Sequence, residues 1–539
     1  MYASKRAGGR SVLITGMVAA LLGLSIAAPL RAQSTADVQN ELETLKKRIE
    51  QLEEQLKAKA AADAQAKVDA EKAAADAKTS AAAAAQSAAE AKTVATAAPP
   101  AAAAAAPPEA APAVDNQTPY AFGDFTWMNA VPRNHDEVID SKYFTGEFRV
   151  DTNYIYDYWH PIDHTLGGTT EGVRTGEVVV QQVNVGGDFH AGGMQMRFLT
   201  QLGAVATATP RNDDSYSQGQ WNLQDAYRYM TEAYAGYHFD VAHGLNIQSG
   251  IFMSYIGLFS YYSFDNWAYQ PSYVSSNTPW FFTGVRAQYF PTNKLKIEPW
   301  FINGWQTYAK INGRHGVGGQ ILWRPTENLD FVFNTYTLGR DTLGNPYRSR
   351  YHEDDSMEWK YWENKDKLMH RMAFSLTIDF GCESGGGVSC MNGNANAPSQ
   401  NFIGGMLYHR WWFDKDKFGA TIGGGVVSNP GRYLVLLPPI NGATATTGSP
   451  YFPESPGLSF RAYDFQGTFD WMPSQFVTFR AEFTQRGANV PYFTGPGGIT
   501  PPGGPGSINT GDPTQIIPGW SPDLRKHENR WIFAMMVKL

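Results

Sequence analysis

From about residue 140 to the C-terminus, the chain alternates apolar and polar residues in segments of roughly ten, each followed by a turn or a loop. In the first segment, Phe148, Val150, Tyr154 and Tyr156 fall on one face and charged or amide side chains fall between them. A period of two residues is the signature of a β-strand with two chemically different faces. The repeated pattern therefore predicts an all-β region.

The connections between these segments alternate between short and long. The short connections contain Gly, Pro, Asn or Asp, as tight turns require, and lie at 190–193, 239–244, 291–294, 325–328, 364–367, 414–417 and 472–474. The long ones lie at about 157–176, 205–224, 260–279, 305–314, 339–354, 381–401, 429–457 and 488–526. This pattern predicts a transmembrane barrel of about 16 antiparallel strands over 141–539, with short turns at the periplasmic end.

The N-terminus has the features of an exported protein. Lys5, Arg6 and Arg10 precede an apolar run from Val12 to Ala28, and the small residues around Ala32 fit a cleavage site. We expect a signal peptide over 1–32; the alternative is an uncleaved anchor helix. No later stretch approaches the ~20 apolar residues of a spanning helix.

A heptad pattern follows over the first part of 33–96. Val38, Leu42, Leu45, Ile49, Leu52 and Leu56 are spaced four and three residues apart, as in a coiled coil. Glu41 with Lys46, and Arg48 with Glu53, would attract across a parallel assembly. We expect a periplasmic coiled coil continued by an Ala-rich helix; a single solvated helix after Leu56 is the alternative.

Residues 97–140 link this stalk to the barrel. Five prolines among alanines over 97–114 predict an extended spacer without a core. The segment around Tyr120–Asp140 allows two interpretations: it plugs the periplasmic mouth, or it simply leads into the first strand.

Charge and cysteine content narrow the function. The net charge is −7 and no basic stripe is present, which argues against a nucleic-acid partner. The two cysteines, Cys382 and Cys390, lie close together in a glycine-rich loop and are expected to form a disulfide. We predict no catalytic residues, no metal site and no cofactor, because no nucleophile or ligand cluster accompanies the scattered histidines.

The polar faces supply candidate pore-lining residues. By alternation, the side chains expected inside the barrel are Glu147, Arg149, Asp151, Arg197, Glu232, Arg286, Glu298, Arg371, Asp379, Arg480 and Glu482. Acids and bases are mixed, so a network of ion pairs is favoured over a selectivity ladder of one charge.

The third long loop is rich in aromatic residues. It contains Tyr261, Tyr262, Trp267, Tyr269 and Tyr273, and its position is that of a loop that narrows the lumen. We expect a constriction loop; an interface girdle or a loop core is the alternative.

Several stretches resemble a known family. "LQDAYRYMTEAYAGYHF" at 223–239, Asn303-Gly304-Trp305 and "RYHEDDS" at 350–356 resemble the putative β-barrel porin family 2. The coiled coil followed by 16 strands also resembles the phosphate-selective porins O and P, although their lysine ladder is not matched here residue by residue.

The resemblance implies a bacterial outer-membrane channel and leaves its substrate open. We expect passive diffusion of small hydrophilic solutes or ions through a barrel surrounded by lipid, and the heptad pattern predicts a homotrimer joined through the coiled coil. A structural anchor acting through the coiled coil, with contact to the cell wall, is the alternative function.

Overall fold

The computed structural model describes residue 115 and residues 117–539, except 170, 211–212, 214, 216–219, 311–312, 340–346, 431–458 and 501–521. The predicted signal peptide and Pro/Ala spacer lie outside these residues. Of the predicted coiled coil, six helical and exposed positions are described: Glu43, Lys46, Lys47, Glu50, Glu54 and Lys57. None of the six is a position of the predicted heptad seam.

The described part of the barrel region contains eighteen strands, whose bounds are as follows. They are β1 Phe144–Asp157, β2 Val178–Ala191, β3 Met194–Thr200, β4 Met230–Phe239, β5 Leu245–Met253, β6 Phe281–Thr292, β7 Leu295–Ile302, β8 Gly316–Thr326, β9 Leu329–Thr337, β10 Ser349–Glu363, β11 Met369–Ser384, β12 Asn401–Phe413, β13 Phe418–Pro430, β14 Ser459–Ser474, β15 Val477–Ala488, β16 Phe493–Thr494, β17 Leu524–Arg525 and β18 His527–Lys538.

Sixteen of these strands form one closed antiparallel barrel. Each strand pairs with its neighbours along the chain, and β18 closes the ring by pairing with both β15 and β1. The closing register runs from Arg149 opposite Lys538 to Asp157 opposite Arg530. The two remaining strands, β16 and β17, form a separate short ribbon. The predicted barrel of about 16 strands is confirmed.

Some predicted boundaries were wrong. The turn expected at 472–474 lies within β14, which ends at Ser474. Residues 339–354 were expected to be a loop, but β10 already begins at Ser349. Arg350, His352 and Asp354 are buried on its inner face, while Tyr351 and Asp355 are exposed. Both faces of this stretch are largely polar, so the alternation that marks the other strands is absent from its sequence.

The two faces of the barrel differ in chemistry. On β14, Tyr463, Phe465, Phe469 and Trp471 are exposed, whereas Asp464, Gln466 and Asp470 between them are buried. The same contrast recurs around the barrel, with an apolar outer face and a charged inner face. This is the arrangement of a barrel that meets lipid outside and encloses polar groups.

The long connections carry four short helices among the described residues: α1 Val205–Ala208, α2 Leu223–Tyr227, a 3₁₀ helix Ser263–Asp265 and α3 Tyr273–Ser276. None of the helices described here is long and apolar enough to cross a membrane. Cys382, in β11, and Cys390 are joined by a disulfide at the start of the β11–β12 loop.

Candidate functional site: the occupied lumen

The lumen contains the third long loop, residues 254–280, which we call the inner loop. It leaves β5 and returns to β6, and Trp267, Tyr269 and Tyr273 on it are almost fully buried. The Tyr269 hydroxyl donates to Asp151 of β1 over 3.0 Å, and its backbone N–H donates to Glu482 of β15 over 2.5 Å. The loop therefore folds inward and bonds to the barrel wall.

The contacts of the inner loop reach the far side of the barrel. Ser272 donates to Asp464 of β14 over 2.9 Å. In the ring of sixteen, β7 to β13 separate β6 from β14 on one side, and β1 to β5 with β18 and β15 separate them on the other. Because both paths contain seven strands, the loop crosses the full width of the lumen.

Buried ion pairs hold this crossing loop. Asp265 of the loop accepts from Arg149 over 2.8 Å. Arg480 donates to the loop carbonyls of Ser263 and Asn266 over 3.1 and 2.6 Å, and it also pairs with Asp470. A guanidinium presents five donors in a fixed geometry, so Arg480 bonds to the wall and to the loop at once.

The predicted pore-lining residues point inward and are mostly paired. Arg149, Asp151, Glu298, Arg371, Asp379, Arg480 and Glu482 are buried, and Glu147, Arg197, Glu232 and Arg286 are half-buried. Arg197 bonds to Glu147 over 2.8 Å and to Glu232 over 3.0 Å. Ion pairs therefore dominate the described inner face.

The aromatic residues of the inner loop join the same networks. The Tyr261 hydroxyl donates to Gln201 over 2.6 Å, and the Tyr262 hydroxyl donates to Glu232 over 2.9 Å. Trp267 packs edge-on against Trp412 of β12, with ring centroids 5.6 Å apart. These side chains lie in the lumen, rather than forming a girdle on the lipid-facing surface.

Two of the inner residues that the sequence analysis missed are His352 and Arg410. His352 lies 2.7 Å from Asp379 inside the barrel, in the first part of β10, which had been expected to be a loop. Arg410 and Arg480 both pair with Asp470, and Arg410 Nη1 lies 2.8 Å from Asp470 Oδ2. Arg410 lies on the inner face of β12 and could have been predicted from the alternation along that strand. Around His352 both faces of the strand are polar, so the sequence does not show which side chains point inward.

The segment that precedes β1 enters the mouth of the barrel at the short-turn end. Trp127 is fully buried, and its indole Nε1 donates to the Glu327 carbonyl in the β8–β9 turn over 3.0 Å. Of the two interpretations offered by the sequence, the structure favours insertion into the mouth.

Two cavities remain beside this segment. One, of about 270 Å³, is lined by Trp127 and Arg133 together with Arg371, Arg410 and Arg480 of the wall. The other, of about 260 Å³, lies between Ala130, the inner loop and the wall residues Arg286 and Glu298.

The electrostatics of the first cavity depend on its arginines. Burial lowers the pKa of Arg133 to about 10; Arg410 and Arg480 add to this effect and Asp470 opposes it. Arg133 is therefore still charged at neutral pH. Among the described residues, no group of three or more His, Cys, Asp or Glu side chains is placed to hold a metal ion.

Several solved outer-membrane proteins are similar in structure to this chain. The outer membrane channel DcaP of Acinetobacter baumannii is 10% identical, with a TM-score of 0.41 over 74% of this chain and 99% of its own. The anion-selective porin from Comamonas acidovorans is 8% identical, with a TM-score of 0.42 over 74% and 99%. OprD from Pseudomonas aeruginosa is 11% identical, with a TM-score of 0.36 over 76% and 97%.

No curated protein matches the chain significantly. A family model does match: the one described as "Putative beta-barrel porin-2, OmpL-like" covers residues 144–503, about two thirds of the sequence. The match begins at the first residue of β1 and extends past β15. The chain therefore belongs to this family of outer-membrane β-barrel porins.

Proposed function

We propose that the protein is an outer-membrane channel through which small hydrophilic solutes or ions diffuse passively. The observation that carries this proposal is the charged inner face of a closed 16-strand barrel. Barrels of about eight strands are filled by their own wall side chains, whereas about 16 strands enclose enough space for an aqueous path.

In this proposal the inner loop is the constriction. Its aromatic side chains are buried inside the barrel, so solutes pass between the loop and the wall; they are Tyr261, Tyr262, Trp267, Tyr269 and Tyr273. Acidic and basic side chains line the wall and pair with each other, as Arg197 does with Glu147. A mixed lining favours weak charge selectivity over strong selectivity for one sign.

The proposal also places the protein relative to the membrane and to other copies of itself. Lipid covers the exposed apolar face, and the N-terminal stalk extends into the periplasm. We further propose that the coiled coil joins three copies, since its apolar seam needs partners.

A structural anchor is the second candidate function. It is favoured by one observation: the inner loop and the segment before β1 occupy much of the lumen. In this alternative the barrel only holds the stalk at the membrane, and the stalk contacts the cell wall.

Single-channel recording from the purified full chain in planar bilayers tests the proposal. We expect stepwise currents that scale with salt concentration. A second sample lacks residues 117–134, a deletion that removes the segment in the mouth. If both samples form barrels that resist SDS without heating and yet carry no current, the channel proposal is wrong and the anchor remains.

A further inference from the structure

The segment in the mouth, residues 120–134, is anchored at two opposite points of the rim. We call it the strap. At its start, the Tyr120 N–H donates to the Asn293 carbonyl in the β6–β7 turn over 2.8 Å. Near its end, Arg133 donates to the Ser474 carbonyl at the end of β14 over 3.2 Å.

These two anchors lie at opposite ends of a diameter. The β6–β7 turn and the β14–β15 turn are separated by β8 to β13 on one side of the ring. On the other side they are separated by β1 to β5 and β18. Both paths contain six strands, so the strap runs across the middle of the opening.

The middle of the strap reaches down to the inner loop. The Trp267 indole Nε1 donates to the Trp127 carbonyl over 3.1 Å. Asn129 accepts from the Trp267 N–H over 2.7 Å, and its own N–H donates to Glu358 of β10 over 2.9 Å. The strap and the inner loop are therefore bonded to each other inside the lumen.

The strap is held by side chains and single hydrogen bonds. Arg324 of β8 lies over the rings of Tyr120 and Phe125, at 4.7 and 4.5 Å from their centroids. Among the described residues, 120–134 pair with no strand of the barrel. The strap can therefore leave the mouth without breaking any pairing of the barrel wall.

Leaving the mouth would change the path through it. Thr126, Trp127, Met128, Val131 and Arg133 line the first cavity, and Ala130 lines the second. The strap thus stands between two spaces of similar size, about 270 and 260 Å³. Removing the strap would take its side chains out of the linings of both spaces and so widen the passage beside the inner loop, which also lines both.

We propose that the strap is a gate at the short-turn mouth: docked across the diameter it restricts passage, and undocked it opens one wider path. This inference rests on the proposed channel function. The strap follows the predicted stalk and spacer in sequence.

The test uses two substitutions in the strap that leave the wall sequence intact. A Cβ at Gly123 would lie 2.5 Å from the Glu327 Cβ and 3.2 Å from its Cα, so Gly123→Leu forces the strap away from the β8–β9 turn. Trp127→Ala removes the buried ring at the centre of the strap. Gly313→Leu is the matched control, because a Cβ there meets nothing within 4 Å.

Each variant is purified as the full chain, checked for an SDS-resistant barrel and recorded in planar bilayers. For both strap variants we expect the time in the wider conducting state to rise at least about tenfold, the change that about 1.4 kcal/mol of lost docking free energy produces. Gly313→Leu should behave as the wild type does.

The outcomes separate the gate from the channel. If the wild type carries no current and the strap variants do, both proposals are supported. Both are also supported if the wild type conducts and its strap variants open more widely. If the wild type conducts and both strap variants match it, the gate is wrong and the channel stands. If all samples, including a 117–134 deletion, stay silent as intact barrels, both proposals fail.

Discussion

Arg480 shows how a single charged residue connects the wall to the inner loop. It donates to both oxygens of Asp470, over 2.6 and 3.0 Å, and to two loop carbonyls. A buried charge is stable only where partners replace the water it has lost. In this lumen the wall and the loop provide those partners together.

Replacing Arg480 with Gln should destabilise the barrel. The substitution leaves Arg410 as the remaining arginine partner of Asp470. It also removes the guanidinium that donates to two carbonyls of the inner loop. Breaking a buried pair costs about 3–5 kcal/mol, and we expect the lower end because Arg410 remains. Urea denaturation in lipid vesicles measures the free energy of unfolding.

Arg461→Gln is the control for this experiment, because Arg461 is exposed on the neighbouring strand β14. A free energy of unfolding for the Arg480 variant that equals that of the control would show that the buried pair contributes nothing measurable.

At the scale of elements, the predicted orientation can be tested by cysteine labelling. Short turns face the periplasm in barrels of this type. A membrane-impermeant maleimide should therefore label Gly313→Cys, in the β7–β8 loop, on intact cells. It should label Asp366→Cys, in the β10–β11 turn, only after the outer membrane is broken.

The native cysteines are joined in a disulfide and give no background in this assay. Both substituted positions are exposed, so a difference in labelling reports sidedness rather than burial. Labelling of Asp366→Cys alone on intact cells would reverse the orientation of the barrel.

The elements also show how far local sequence pattern reaches. Strands with one apolar and one polar face, such as β11, were predicted together with the turn that precedes them, here 364–367. The start of β10 was missed because its outer face includes Tyr351, Glu353 and Asp355, so polar residues occupy both faces. Alternation marks a strand only where the two faces meet different surroundings.

At the scale of the whole molecule, the stalk should govern assembly. Leu45→Asp combined with Leu52→Asp places charges in the predicted apolar seam, where they lack partners, at several kcal/mol per site. We expect normal insertion, an unchanged conductance per barrel and a trimer that dissociates at lower temperature on native gels.

Lys47→Asp with Lys57→Asp serves as the control, because both residues are helical and exposed. The trimer prediction fails if the wild type is already a monomer in mild detergent. It also fails if the seam variant and the control dissociate at the same temperature.

Features that depend on near neighbours along the chain could be predicted from the amino-acid sequence alone. Period-two alternation and turn residues predicted sixteen strands, their faces and the side chains that point inward. These signals are local, because a strand's faces and a tight turn are decided within a few residues. The family match agrees with them.

The contents of the lumen, by contrast, became known from the three-dimensional fold. The bond from Trp127 to the Glu327 carbonyl joins residues 200 positions apart, and the one from Tyr269 to Glu482 joins residues 213 apart. Which buried donor meets which acceptor depends on how the barrel closes and which loop or segment enters it. Alternation predicts that a side chain points into the barrel, but its hydrogen-bond partner depends on how the strands close into a ring.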